Sequence, residues 1–164
     1  MKFTPGQLRN VTSISQETYR HWKKSFPNLE RSNGKKPCFS SGDLLSVLII
    51  RSLTQSFRIQ VSALTDVSER LFFLMNSTPW IKLESGVLLV SLQENRVELT
   101  SATSSITPSH SLLVLPLNDF TQVISDNLLS NGQADSQRTL KFPLFQQPSD
   151  QTKRSKASSR AEQS

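Results

Sequence analysis

The sequence predicts an α+β fold in which a helical N-terminal domain is followed by a small strand-rich unit, closed by a helix, and by a disordered tail. Apolar residues recur at helical spacing up to about residue 76, whereas short alternating or continuous apolar runs follow up to about residue 132. Beyond that point the chain has too few apolar residues to offset the entropy of ordering. We therefore divide it into residues 1–76, 77–132 and 133–164.

Two short helices are predicted near the N-terminus. Thr4 caps a helix over residues 5–10, which has a proline in its first turn, where a missing backbone N–H costs nothing. Ser15 caps a second helix over residues 16–24, because a serine oxygen accepts a hydrogen bond from a backbone N–H two or three residues further on. Pro27 ends this helix. The short link between the two predicts a helix–turn–helix.

A basic turn and two longer helices complete the N-terminal part. Asn33-Gly34 is the strongest two-residue signal for a hairpin, because both central positions of its turn need a positive φ. Ser40 or Ser41 caps a third helix, which breaks at residues 55–58. Apolar residues at helical spacing predict a fourth helix over about residues 61–75.

Strand-like patterns follow Pro79. Residues 80–84 alternate between apolar and polar side chains, which is typical of a strand. The last predicted element is a helix, which is capped by Asn118 or Asp119 and ends near Asn131-Gly132. The remaining predicted elements are strands over residues 87–92, 97–99 and 112–115, and that closing helix covers residues 120–129.

The net charge of +6 is distributed unevenly. Residues 1–76 carry eleven Lys and Arg against five Asp and Glu, residues 77–132 carry two against five, and residues 133–164 carry six against three. A basic block beside an acidic one favours a polyanion-binding module attached to a second unit, although many basic blocks are merely solvated. No apolar run approaches the roughly 20 residues of a membrane span, and no signal peptide is visible. Together with a single cysteine, Cys38, this predicts a cytoplasmic protein.

Three motifs, in this order of elements, resemble the winged helix–turn–helix DNA-binding domain of the MerR family. Phe3–Leu8 is similar to the family's opening aromatic-Thr-x-Gly-x-Leu, Thr12–Trp22 to its turn and recognition helix, and Phe39–Leu44 to its aromatic-Ser-x-x-Asp-Leu. The resemblance covers about residues 3–75. It does not extend to the coiled coil or effector domain of that family. It implies a transcriptional regulator from a bacterium, phage or mobile element, associated with the nucleoid.

The resemblance also implies which residues face DNA. The second helix enters the major groove, where Arg20 aligns with the family's groove arginine and Gln16 can pair with adenine through two hydrogen bonds. The basic hairpin approaches the DNA backbone or minor groove. Each cation can also be interpreted as a solvated surface charge, and Trp22 is better interpreted as a core residue than as a DNA contact. The candidate DNA-binding residues are Ser15, Gln16, Glu17, Thr18, Arg20, His21, Lys23, Lys24, Arg31, Lys35 and Lys36.

No motif for catalysis or a cofactor is present. The sequence has no Gly-x-Ser-x-Gly elbow, no P-loop and no glycine-rich dinucleotide loop, and its Cys and His residues are too few and scattered for zinc. We therefore expect no enzyme and no cofactor. Two alternatives to a regulator stay open: a DNA-binding accessory factor for replication, recombination or plasmid maintenance, and a protein-interaction module without DNA.

Two protein contacts are also predicted. The apolar strands within residues 77–132 are the best candidates for a homodimer interface, because operators with two half-sites need two copies of the domain. In the tail, Gln137–Phe145 loosely resembles the short peptides that dock on bacterial sliding clamps, which makes a protein partner there an open possibility.

Overall fold

The computed structural model describes residues 1–30, 38–101 and 111–139, with side chains described up to residue 129. This part of the chain contains six α-helices and one three-stranded antiparallel sheet, which confirms the predicted α+β class. The elements in chain order are α1 (Pro5–Thr12), α2 (Gln16–Ser25), a 3₁₀ turn (Pro27–Leu29), α3 (Ser41–Gln55), α4 (Val61–Ser77), α5 (Trp80–Glu84), β1 (Gly86–Ser91), β2 (Arg96–Ser101), β3 (Leu113–Pro116) and α6 (Asn118–Thr139).

The first three helices begin where their capping residues predict. The Thr4 hydroxyl accepts from the Gln7 N–H at 3.3 Å, and the Gln7 side chain accepts from the Thr4 N–H at 2.9 Å, which closes a capping box. Ser15 caps α2, and Ser40, one of the two predicted alternatives, caps α3 with Asp43 completing a second box. These caps satisfy backbone donors that have no partner inside the helix.

Helix α3 is the centre of the fold. Its residues 42–50 are all buried, and α1, α4 and α6 pack around it. The approach to α4 is closest at Gly42, where an added Cβ would lie 2.6 Å from the Met75 carbonyl oxygen. The Asn76 side chain strengthens this contact, since its amide donates to Asp43 at 2.9 Å and its oxygen accepts from the Ser40 hydroxyl. The two helices are therefore fixed to each other by backbone contact and by a polar network.

The sheet has the strand order β2-β1-β3, and both neighbours of β1 are antiparallel to it. Leu88 of β1 pairs with Leu99 on one side and Leu115 on the other. Leu88, Val90 and Leu115 are buried in the core, and α4 packs on β2. One face of the sheet thus closes the core that surrounds α3.

Two element predictions are wrong. Residues 80–84 form the short helix α5 rather than a strand. Trp80 and Leu83, three residues apart, both pack on the core, which a helix allows and a strand does not. The final helix does not end near Asn131-Gly132 but continues to Thr139. A glycine costs about 1 kcal/mol in a helix but does not stop one that is already formed.

The remaining tail, residues 140–164, lies outside the described residues. The predicted clamp-binding segment therefore has only its first three residues, 137–139, in α6. None of the described helices is both long and apolar enough to cross a membrane.

The predicted boundary at residue 76 does not separate two cores. Buried residues from Phe3 to Ile124 form one hydrophobic cluster, and α4 contributes to it together with β1 and β3. Arg70 of α4 donates to the backbone carbonyl of Asn95 at 2.6 Å, across this boundary. Residues 1–76 consequently owe part of their packing to residues 77–129.

Candidate nucleic-acid interface

The turn between α1 and α2 is closed by a residue in the left-handed conformation. Ser13 has φ 51° and ψ 40°, and its N–H donates to the Asn10 carbonyl at 3.3 Å. The Ile14 N–H donates to the Arg9 carbonyl at 3.1 Å. This is the helix ending that glycine usually provides, and a side chain at such a φ costs roughly 1–2 kcal/mol. Burial of the next residue, Ile14, offsets this conformational cost.

Helix α2 is held by one aromatic face. Tyr19 and Trp22 are buried, and the Trp22 ring packs edge-to-face on Phe26 with the centroids 5.9 Å apart. Tyr19 makes a similar contact with Phe39 at 6.4 Å. Phe39 in turn pairs with Phe3 through two backbone hydrogen bonds of 2.7 and 2.8 Å. Trp22 is thus a core residue, and α2 is anchored to the strand segments before α1 and before α3.

The opposite face of α2 is exposed. It carries five of the candidate residues at spacings of three and four, which places them along one side of the helix: Gln16, Glu17, Arg20, His21 and Lys24. Arg20, His21 and Lys24 form no ion pair with another described residue. The cations lie towards the C-terminal end of α2, whereas Glu17 lies in its first turn. This face can therefore accept an anion or the edge of a base without breaking an existing salt bridge.

The other candidates on α2 have different surroundings. The Ser15 hydroxyl accepts from the Thr18 N–H at 3.0 Å, and the two hydroxyls lie 2.9 Å apart. Both side chains thus fix the start of α2. Lys23 is partly buried at the edge of the exposed face.

The hairpin candidates Arg31, Lys35 and Lys36 lie outside the described residues. The structure adds two cations that the sequence motifs did not single out. Lys2 is exposed beside the Phe3–Phe39 bridge, and Arg9 is partly buried close to Tyr19. Burial raises the pKa of the Tyr19 hydroxyl, and the nearby Arg9 charge partly opposes that shift. No local pattern distinguishes these two cations, because their positions depend on the turn between α1 and α2 and on the bridge from Phe3 to Phe39.

No protein-family model, curated protein or solved structure matches the chain. The resemblance to the MerR domain therefore depends on the sequence motifs alone. Among the described residues, no group of three or more His, Cys, Asp or Glu side chains is arranged to hold a metal. What the arrangement offers is an exposed, polar and cationic helix face on a rigid support.

Proposed function

We propose that the protein is a sequence-specific regulator of transcription that binds double-stranded DNA, and that α2 is its recognition helix. The observation that carries the proposal is the exposed face of α2, where Gln16, Arg20 and Lys24 are aligned and the two cations form no ion pair within the described part of the chain. A helix of this kind enters the major groove with its side chains against base edges and phosphates. Such a regulator acts on the nucleoid.

The other helices are less suited to a DNA groove. Helix α3 is surrounded by protein over residues 42–50, so it cannot enter a groove. The exposed side of α4 includes Asp66 and Glu69, which repel phosphate. Helix α5 has only five residues. Of the helices with described side chains, α2 combines exposure, cationic charge and a rigid attachment.

The roles on α2 follow from side-chain chemistry. Arg20 donates two parallel hydrogen bonds to guanine, Gln16 pairs with adenine, and Glu17 accepts from the cytosine amino group. His21 and Lys24 contact phosphates, and Lys23 adds positive charge at the edge of this face. Ser15 and Thr18 keep the first turn of α2 in place, so that its free backbone N–H groups point towards the DNA backbone.

The test is DNA binding by the full chain and by two single variants. A pool of random duplexes is selected for binding, and the affinity of the selected sequence is measured over a range of salt. Arg20→Ala should weaken this affinity by about 1–3 kcal/mol with no change in thermal stability. Lys82→Ala removes an exposed cation from α5, and this control should bind like the parent protein.

Three outcomes of this test contradict the proposal in different ways. Binding without sequence preference would favour an accessory factor for replication, recombination or plasmid maintenance. Unchanged affinity of Arg20→Ala would remove α2 from the interface. No DNA binding at all would leave a protein-interaction module.

We further propose that the protein binds DNA as a homodimer through the sheet. Leu88 and Val90 face the core, so Val87 and Leu89, which alternate with them along β1, face outwards, and Leu89 pairs with the exposed Val114 of β3. These outward apolar residues form a surface that a second copy would cover, and two copies match a two-fold symmetric operator.

Substitution of Val114 tests this interface. Val114→Lys should convert the dimer to a monomer in sedimentation and weaken specific DNA binding, because a charge would be buried against the second copy. Gln93→Lys places the same charge at an exposed position of the β1–β2 turn and should leave the dimer intact. A parent chain that sediments as a monomer at micromolar concentration contradicts the proposal.

A further inference from the structure

The last turn of α1 is held by side chains from distant parts of the chain. The final carbonyl groups of a helix have no partners within it. Here the Val11 carbonyl accepts from the Asn127 side-chain amide of α6 at 3.2 Å, and the Thr12 carbonyl accepts from the Arg51 guanidinium of α3 at 2.9 Å. The two donors are 116 and 39 residues away in sequence. Two separate helices thus meet at the point where α1 turns into α2.

Both donors are themselves fixed. The Arg51 Nε donates to Gln55 at 2.9 Å, which orients the guanidinium along α3. Asn127 lies one turn after Ile124, which is buried in the core, and α6 packs directly on α1 and α3. A cation also suits the negative end of the α1 dipole. The two side chains are therefore placed by packing and not by chance contact at the surface.

The turn that they support is costly. Ser13 immediately follows Thr12 and has a positive φ, a conformation that persists only where surrounding contacts determine it. Its own hydrogen bonds use the Asn10 and Arg9 carbonyls, and the two distant donors take the next carbonyls, those of Val11 and Thr12. The direction in which α2 leaves this turn consequently depends on α3 and α6.

We infer that Asn127 and Arg51 are positioning residues for the DNA-facing helix, and that α6 is the element through which the C-terminal part of the chain controls DNA binding. The inference depends on the proposed function of α2. Helix α6 continues from Asn127 to Thr139, so a partner or second copy that shifts α6 also moves a donor at the α1–α2 turn. The regulation is a change in the orientation of α2, with no change in the residues that contact DNA.

The test uses Asn127→Asp in the full chain, because this isosteric change replaces the amide donor by a carboxylate that repels the Val11 carbonyl. Gln122→Glu is the matched control, since it makes the same amide-to-carboxylate change at an exposed position of α6. Asn127→Ala is a milder second variant if the aspartate prevents folding. Two properties are measured: amide hydrogen exchange in the free protein, and DNA affinity as a function of salt.

Asn127→Asp should speed exchange at residues 13–18 by about tenfold, the effect expected of one lost hydrogen bond, while residues 64–72 of α4 exchange as before. DNA affinity should fall by a similar factor, and the slope of log K against log salt should not change, because no phosphate contact is lost. Gln122→Glu should alter neither property. Loss of a contact residue such as Lys24, in contrast, lowers the slope.

The outcomes separate this inference from the proposed function. The positioning role is overturned if exchange at residues 13–18 does not change. It is also overturned if exchange increases uniformly over the whole chain, because Asn127 would then only stabilise the fold. If the parent chain does not bind DNA, the proposed function fails, and the exchange measurement still decides whether α6 holds the turn. Faster exchange at the turn with undiminished DNA affinity would also overturn control through α6.

Discussion

Gly42→Ala is expected to destabilise the protein by forcing α3 and α4 apart. The added Cβ would lie 2.6 Å from the Met75 carbonyl oxygen and 2.8 Å from Asn76 Oδ1, whereas ordinary contact begins at 3.4 Å. The gap must therefore open by about 0.8 Å against a backbone atom that cannot rotate away. Any such movement also stretches the hydrogen bonds from Asn76 to Asp43 and from Ser40 to Asn76.

The expected magnitude follows from three contributions. Overpacking of a tight core costs about 1–3 kcal/mol, and a weakened hydrogen bond adds about 1 kcal/mol. Alanine recovers about 1 kcal/mol over glycine through its helix propensity. The net loss is about 2 kcal/mol, which corresponds to a decrease in Tm of about 4–8 °C for a chain of this length.

The assay is urea unfolding followed by the circular dichroism of the helices, with Gly6→Ala as the matched control. Gly6 lies in the first turn of α1, and a Cβ there would be 3.8 Å from the nearest atom, the Thr4 hydroxyl oxygen. The control should be neutral or slightly stabilising, because it gains helix propensity without a clash. Equal stability of Gly42→Ala and the parent chain would refute the close approach of α3 and α4.

Two further predictions concern the support of α2. Ser13→Gly should raise the free energy of unfolding by about 0.5–1 kcal/mol, since glycine adopts the left-handed conformation without strain; a loss of stability in urea would contradict the assigned φ. Burial raises the pKa of Tyr19 above its value of 10.0 in the unfolded chain, so the folded state holds this proton more tightly. The resulting stabilisation is complete below pH 10 and is lost as the pH rises through the folded pKa, so Tyr19→Phe should lose less stability between pH 9 and 12 than the parent chain. Tyr19 is the one tyrosine in the sequence, so tyrosinate absorbance reports its pKa directly, and a midpoint at or below 10.0 would contradict the shift.

The helix starts were predictable because their signals are local. Thr4, Ser15 and Ser40 each cap a helix within three residues of themselves, and no distant part of the chain is needed to recognise them. The exposed face of α2 was predictable for the same reason, since Tyr19 and Trp22 mark its buried side.

The rest depends on contacts that no local pattern encodes. Helix α5 was predicted as a strand because five residues are too few to distinguish the two periods. The single core was missed because the contact of Arg70 with Asn95 and that of Asn127 with Val11 join segments far apart in sequence. The contribution of α6 to the α1–α2 turn was not predictable, because the Asn127–Val11 contact joins residues 116 positions apart in sequence.

The charge around the β1–β2 turn agrees with the proposal that α2, and not the sheet, faces DNA. Arg96 has a carboxylate on each side in sequence: Glu98 at 2.6 Å and Glu94 at 4.0 Å. The hydrogen bond that Arg96 donates to the Glu98 carboxylate raises the pKa of Arg96, and its cation is thus balanced locally. Arg70 also reaches this turn, where it donates to the Asn95 carbonyl at 2.6 Å, so two cations stand against two carboxylates and a phosphate meets no excess positive charge there. On α2 it meets Arg20 and Lys24, which form no ion pair with another described residue. In the proposed complex with DNA, this difference in charge favours contact through the exposed face of α2 over contact through the β1–β2 end of the sheet.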